Sequence, residues 1–134
     1  MTAKPTLGER WVMGLAIATG VVLLAIGLRF LLVPDQAARF FGLSQPPGVF
    51  DLHLVVALRD LWLAFILVFL ALLREWRSLA ISLGLGALVC FGDSLIVAAS
   101  SGNRLAVAFH MVSGIFCAGL ALSAWGCSQH VGRR

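Results

Sequence analysis

The chain has 134 residues, of which 60% are hydrophobic and 12% charged, with a mean hydropathy of +1.00; this lies outside the composition of a soluble domain and points to a membrane protein. The net charge of +4 and pI near 9.8 come from basic residues scattered around the ends of apolar runs. A nucleic-acid surface gathers its basic residues on one face, so nucleic acid is excluded as a partner and the lipid bilayer is expected.

In chain order, apolar segments at about 11–33, 54–73, 79–99 and 105–125 each approach the roughly 20 residues that cross a hydrocarbon core. The first follows Lys4 and Arg10 as a signal peptide would, but its apolar run is too long and no small-residue cleavage pattern follows, so it is expected to be retained. The longest connection runs from Pro34 to His53. Within it Asp35 is expected to cap a short interfacial helix through Phe41, ended by Gly42, and the run "SQPPG" to turn because two prolines cannot continue a helix. Phe40 and Phe41 suit the headgroup boundary. The other connections are short enough to join sequential antiparallel helices. The expected fold is all-α: a transmembrane four-helix antiparallel bundle over 1–134, one integral membrane domain with a short interfacial helix between helices one and two.

Four spans put both termini and the 74–78 connection on one side, with Lys4, Arg10, Arg74, Arg77, Arg133 and Arg134, against Arg39 and Arg104 on the other, joined by Arg29 and Arg59 if residues near the helix ends count. Loops rich in Lys and Arg stay in the cytoplasm, so both termini are expected there, in a bacterial inner membrane.

The stretch "VVALRDLWLAF" sets Arg59 beside Asp60 inside an apolar run. A charge at a helix centre costs about 2.5–3.5 kcal/mol on insertion scales, so such groups usually face each other or a wet cavity. Counted from the outer end of each segment, Arg29, Arg59, Asp60, Asp93 and His110 all fall about 6–9 Å inside the boundary. Helical phase places them inward. Asp60 shares a face with Ala57, Ala64 and Ala71; Asp93 with Ser82, Gly86 and, less closely, Cys90; His110 with Ala106, Ser113, Gly114, Cys117 and Ala121; Arg29 continues a weaker line through Gly14, Ala18 and Ala25. Small residues line transmembrane interfaces because they let backbones approach. The set balances two arginines against two aspartates, with a histidine, the side-chain type whose unperturbed charge change falls nearest neutral pH. A periplasm-facing polar pocket is therefore expected, with Arg29, Arg59, Asp60, Asp93 and His110 binding a ligand and Asp60, Asp93 and His110 as catalytic candidates. The bland alternative is a cluster that locks helix register, with the arginines snorkelling to headgroups. Cys90, Cys117 and Cys127 form no C-x-x-C pair and are odd in number, which favours packing over a disulfide framework.

The stretches "GLRFLLVPDQAARFFGL" from Gly27, "ALRDLWL" from Ala57, "FGDSLIV" from Phe91 and "RLAVAFHM" from Arg104 resemble a family of small bacterial and fungal integral membrane proteins carrying a domain of unknown function, similar to DoxX-like four-helix proteins. The resemblance implies a four-helix membrane bundle and no established activity.

The residues themselves leave several functions open. The first is binding of a small amphiphilic or lipophilic molecule (a quinone, lipid or similar) with its polar head among Asp60, Asp93 and His110. The second is an intramembrane acid/base enzyme performing isomerisation, cyclisation or epoxide opening, with an arginine stabilising developing negative charge. Proton-coupled transport is disfavoured by the absence of polar residues in the inner halves, and a purely structural subunit remains the bland outcome. His110, Asp60 and Asp93 are a minimal metal set, and His53 with His110 a conceivable haem pair differing in depth, but adjacent arginines repel a cation; no metal is expected and no cofactor is named. A homo-oligomer or a membrane-protein partner is compatible with the sequence.

Overall fold

The computed structural model describes residues 6–43 and 50–131, with the side chains of the second stretch from 53 to 130; the expected Ser-Gln-Pro-Pro-Gly turn lies outside the described residues. The elements are α1 (Leu7–Leu32), α2 (Pro34–Phe41), α3 (Phe50–Leu73), α4 (Trp76–Ser100) and α5 (Arg104–Val131), with no strand among the described residues. Helices α1, α3, α4 and α5 are long and apolar enough to cross a membrane. The protein is thus an all-α, multi-pass membrane protein with a four-helix bundle-like arrangement.

The helices run past the expected apolar windows because polar residues extend them. At the start of α1, Thr6 Oγ1 accepts from the Glu9 N–H at 3.2 Å, while the Thr6 N–H donates to Glu9 Oε2 at 2.9 Å, a reciprocal box that satisfies two otherwise orphaned donors. At the start of α5, Asn103 Oδ1 accepts from the N–H groups of Leu105 and Ala106. Helix α2 exists where expected but is not capped by Asp35. Val33 occupies the capping position without a side-chain bond and Pro34 takes the first turn, where its missing N–H costs nothing. Gly42 ends the helix as expected, at φ 104°, a left-handed conformation that favours glycine.

The long helices pack as two antiparallel pairs, α1 on α3 and α4 on α5, and the seam between the pairs is much sparser. In the first pair the backbones nearly touch: a Cβ at Gly20 would lie 2.7 Å from Val68 Cγ2, and one at Gly27 would lie 3.0 Å from the Ala57 carbonyl oxygen. Facing them, Ala57, Ala64 and Ala71 are buried. In the second pair the Phe91 ring covers Gly114, where a Cβ would come within 2.6 Å of it. Close approach through small residues is how helices associate where lipid removes the usual hydrophobic drive.

The larger core cluster, with Val12, Ala16, Leu67, Ala71, Leu79, Leu83, Leu120 and Ala124, occupies the half nearer the termini. Phe30, Ala37 and Ala57 form a smaller one where α1, α2 and α3 meet. Large apolar side chains such as Trp62, Phe65, Phe69, Leu95 and Ile115 point outward, as expected of a lipid-facing surface.

Replacing Gly27 with Ile should push α1 from α3 and cost about 2 kcal/mol, seen as a lower midpoint in thermal unfolding of the detergent-solubilised protein. Gly84→Ala, at a position with nothing within 4 Å of the added methyl, should leave the midpoint in place; equal midpoints for both variants would contradict the α1–α3 approach.

Candidate functional site

Above the core the two helix pairs diverge around a cavity of about 630 Å³, within the range of small-molecule sites. Leu67 and Leu83, which belong to the core cluster, close its floor; Ala18, Val22 and Ile26 of α1 and Val112 and Phe116 of α5 form walls; Phe40 and Phe41 of α2 contribute the opposite end. Most of the lining is apolar. Ionisable groups concentrate toward the end away from the termini, where Arg59, Asp60, Asp93 and His110 line it, while Ser82, Cys90 and Cys117 lie deeper.

Arg59 organises this polar end. Its Nε donates to Asp60 Oδ1 at 2.9 Å, and Nη1 and Nη2 donate to the two carboxylate oxygens of Asp93, each at 3.3 Å. Asp60 is 3% exposed and Asp93 8%, and the guanidinium fork meets both carboxylates, which lysine's single ammonium could not match. The local reason is helical phase. Asp60 continues the buried alanine face of α3, whereas Arg59, one residue back and about 100° around the helix, emerges at the seam and reaches α4.

His110, 8% exposed, is held from α2. Its Nε2 lies 3.1 Å from the Phe41 carbonyl oxygen; a carbonyl only accepts, so Nε2 carries the proton of that bond and Nδ1 takes no part in it. The two rings pack with centroids 4.4 Å apart. The adjoining Gly42 fits a notch between Val97 of α4 and Ala106 of α5, which a Cβ would fill at 2.8 and 2.6 Å. Ser101 Oγ donates to the Gly42 carbonyl. Helix α2, continuous with α1 at one end, is thereby fastened to the α4–α5 tip at the other.

Of the five residues expected at one level, Arg59, Asp60 and Asp93 are in direct contact, and His110 shares their cavity. Arg29 lines the cavity but makes no ion pair among the described residues; it is exposed, with its guanidinium 4.9 Å from the centre of the Phe40 ring. Gly27 and Phe30 take the buried face of α1, leaving Arg29 on a different face. His53 is 4% exposed, packs its ring 6.1 Å from that of Phe30, and has no hydrogen bond to Nε2 among the described residues. It does not line the cavity. Cys90 and Cys117 do, while Cys127 packs against the core at the other end. The Phe41 carbonyl is the partner that sequence reasoning missed: a backbone acceptor has no residue signature, and the terminating Gly42 is its sole trace.

Arg59→Leu leaves two buried carboxylates without their cation and should cost on the order of 3 kcal/mol. Adding Asp60→Asn and Asp93→Asn should recover much of that loss in the same unfolding measurement. An Arg59→Leu protein as stable as wild type would contradict the bridge.

No curated protein and no solved structure matches the chain. A family described as a domain of unknown function, DUF4267, matches over residues 20–124, a stretch that includes Arg29, the Arg59 bridge, His110 and the whole of α2. On that match the chain belongs to the DUF4267 family.

Proposed function

We propose that this is a small bacterial inner-membrane protein, a single integral membrane domain over 1–134 with both termini in the cytoplasm. Its cavity lies toward the periplasmic side and holds a small amphiphilic or lipophilic molecule such as a quinone or a lipid. The observation that carries this reading is the cavity itself: about 630 Å³, apolar over most of its lining, with charged groups toward one end. An apolar space with few convergent polar groups matches a molecule with a tail and a head. Arg29 stacked on the exposed Phe40 at the mouth suits a headgroup boundary. The likeness to DoxX-like four-helix proteins belongs to this proposal as well.

A second reading, an intramembrane acid/base enzyme acting on a lipophilic substrate by isomerisation, cyclisation or epoxide opening, draws on two uncommitted atoms. Asp60 Oδ2 takes no hydrogen bond among the described residues, and His110 Nδ1 is not used in the bond to α2. Asp60 would accept a proton, His110 would return one, and Arg59 would stabilise developing negative charge. Proton-coupled transport draws less support, since Leu67 and Leu83 close the floor over an apolar core.

Native mass spectrometry with lipidomics on wild type, Asp60→Asn and Asp93→Asn, each first shown to fold, tests the site. A small molecule retained by wild type and lost from both variants is the expected result; no retained molecule, with both variants less stable, would make the cluster a structural lock. For the orientation, a C-terminal green fluorescent protein fusion should fluoresce and a C-terminal alkaline phosphatase fusion should be inactive, the opposite pair of results placing that terminus outside.

A further inference from the structure

At the polar end of the cavity one buried acceptor is left over. Arg59 directs Nε, Nη1 and Nη2 at Asp60 and Asp93. The Nε2 proton of His110 goes to the Phe41 carbonyl. Of the three hydroxyls in the lining, Thr19 Oγ1 donates to the Leu15 carbonyl at 2.8 Å and Ser113 Oγ to the Phe109 carbonyl at 2.9 Å, each back into its own helix, while Ser82 lies deeper, about three turns of α4 below Asp93. On the other side of the account stands Asp60, 3% exposed and lining the cavity, whose Oδ2 takes no hydrogen bond among the described residues. In its neutral form His110 also presents Nδ1 as an acceptor.

The charges lean the same way. Two carboxylates share one guanidinium, and an acidic head would bring a third negative charge into that surrounding. Arg29, the other cation of the lining, sits exposed over Phe40, apart from the buried bridge.

We propose that the cavity selects a lipid-like molecule whose head donates hydrogen bonds and bears no negative charge, an alcohol, phenol or amine, and rejects a carboxylate or phosphate head. This rests on the reading of the cavity as a ligand site and narrows it. Of the two redox forms of a quinone, the quinol, with its O–H donors, is the one that fits. Unsatisfied buried acceptors gain most from a donor, and juxtaposed like charges repel strongly where water is scarce.

The test places the protein in lipid nanodiscs doped with equal mole fractions of a fatty alcohol, a fatty amine and a fatty acid of the same chain length, at a pH where the acid is ionised. Bound adducts are then counted by native mass spectrometry. The alcohol and the amine should each exceed the acid by about tenfold. Parity between alcohol and amine would mean that hydrogen bonding sets the preference, and an excess of amine that charge does; both support the proposal. An acid bound as well as the other two, or better, overturns it while leaving the cavity a ligand site. Retention of none of the three removes this inference and the ligand-site reading together. The comparison needs no variant, and Asp60→Asn, which removes one negative charge, should bring the acid toward parity.

Discussion

Everything in the half of this protein away from its termini depends on one guanidinium held between two carboxylates from different helix pairs. Each pair is tight within itself because small residues let backbones meet, Gly20 and Gly27 against α3 and Gly114 beneath Phe91. The seam between pairs is sparse, and there Arg59 joins Asp60 of its own helix to Asp93 of α4. Buried ion pairs contribute little net stability compared with apolar packing, but they are costly to break on one side. The bridge therefore specifies how the pairs sit more than it glues them, which is what a bundle needs if it is to keep a space in its interior.

That space exists because packing is divided unequally. Toward the termini Leu79, Leu83 and Leu120 fill the interior; toward the other end Phe30 and Val97 pack near α2, the buried faces carry Ala57, Ala64, Asp60 and Asp93, and a space between the pairs is left open. Helix α2 finishes the arrangement without adding bulk. Its last turn lends a carbonyl to His110, and the glycine after it drops into the Val97–Ala106 notch.

The four spans and the inward direction of Asp60, Asp93 and His110 were legible in the sequence, since hydropathy reports burial in lipid and three- and four-residue spacing reports the face. Asp60 with Ala57, Ala64 and Ala71 is the clearest example: all four are buried together. Pairing was less legible. Nothing in a single sequence says that α1 packs on α3 and α4 on α5, so Arg29 was expected among the charges and instead lies over Phe40. The early start of α1 was written plainly in the Thr6–Glu9 spacing, but a hydropathy window counts apolar residues and passes over a capping box. Asp35 looked like a cap by residue type; Pro34, rigid and already set for a first helical turn, moved the helix start one residue ahead of it.

The adjacency of Arg59 and Asp60 also bears on how the chain enters a bilayer during synthesis. A helix carrying one buried charge presents the insertion machinery with its full cost, whereas neighbouring opposite charges that already bond to each other, as Nε of Arg59 does to Asp60, let α3 pass as a nearly neutral segment. The rest of the fork is still open when α3 arrives. Asp93 follows one helix later, far along α4 from Arg77 at its start, and finds a guanidinium at its level. The order of residues along the chain thus supplies the counter-charge before the charge that needs it.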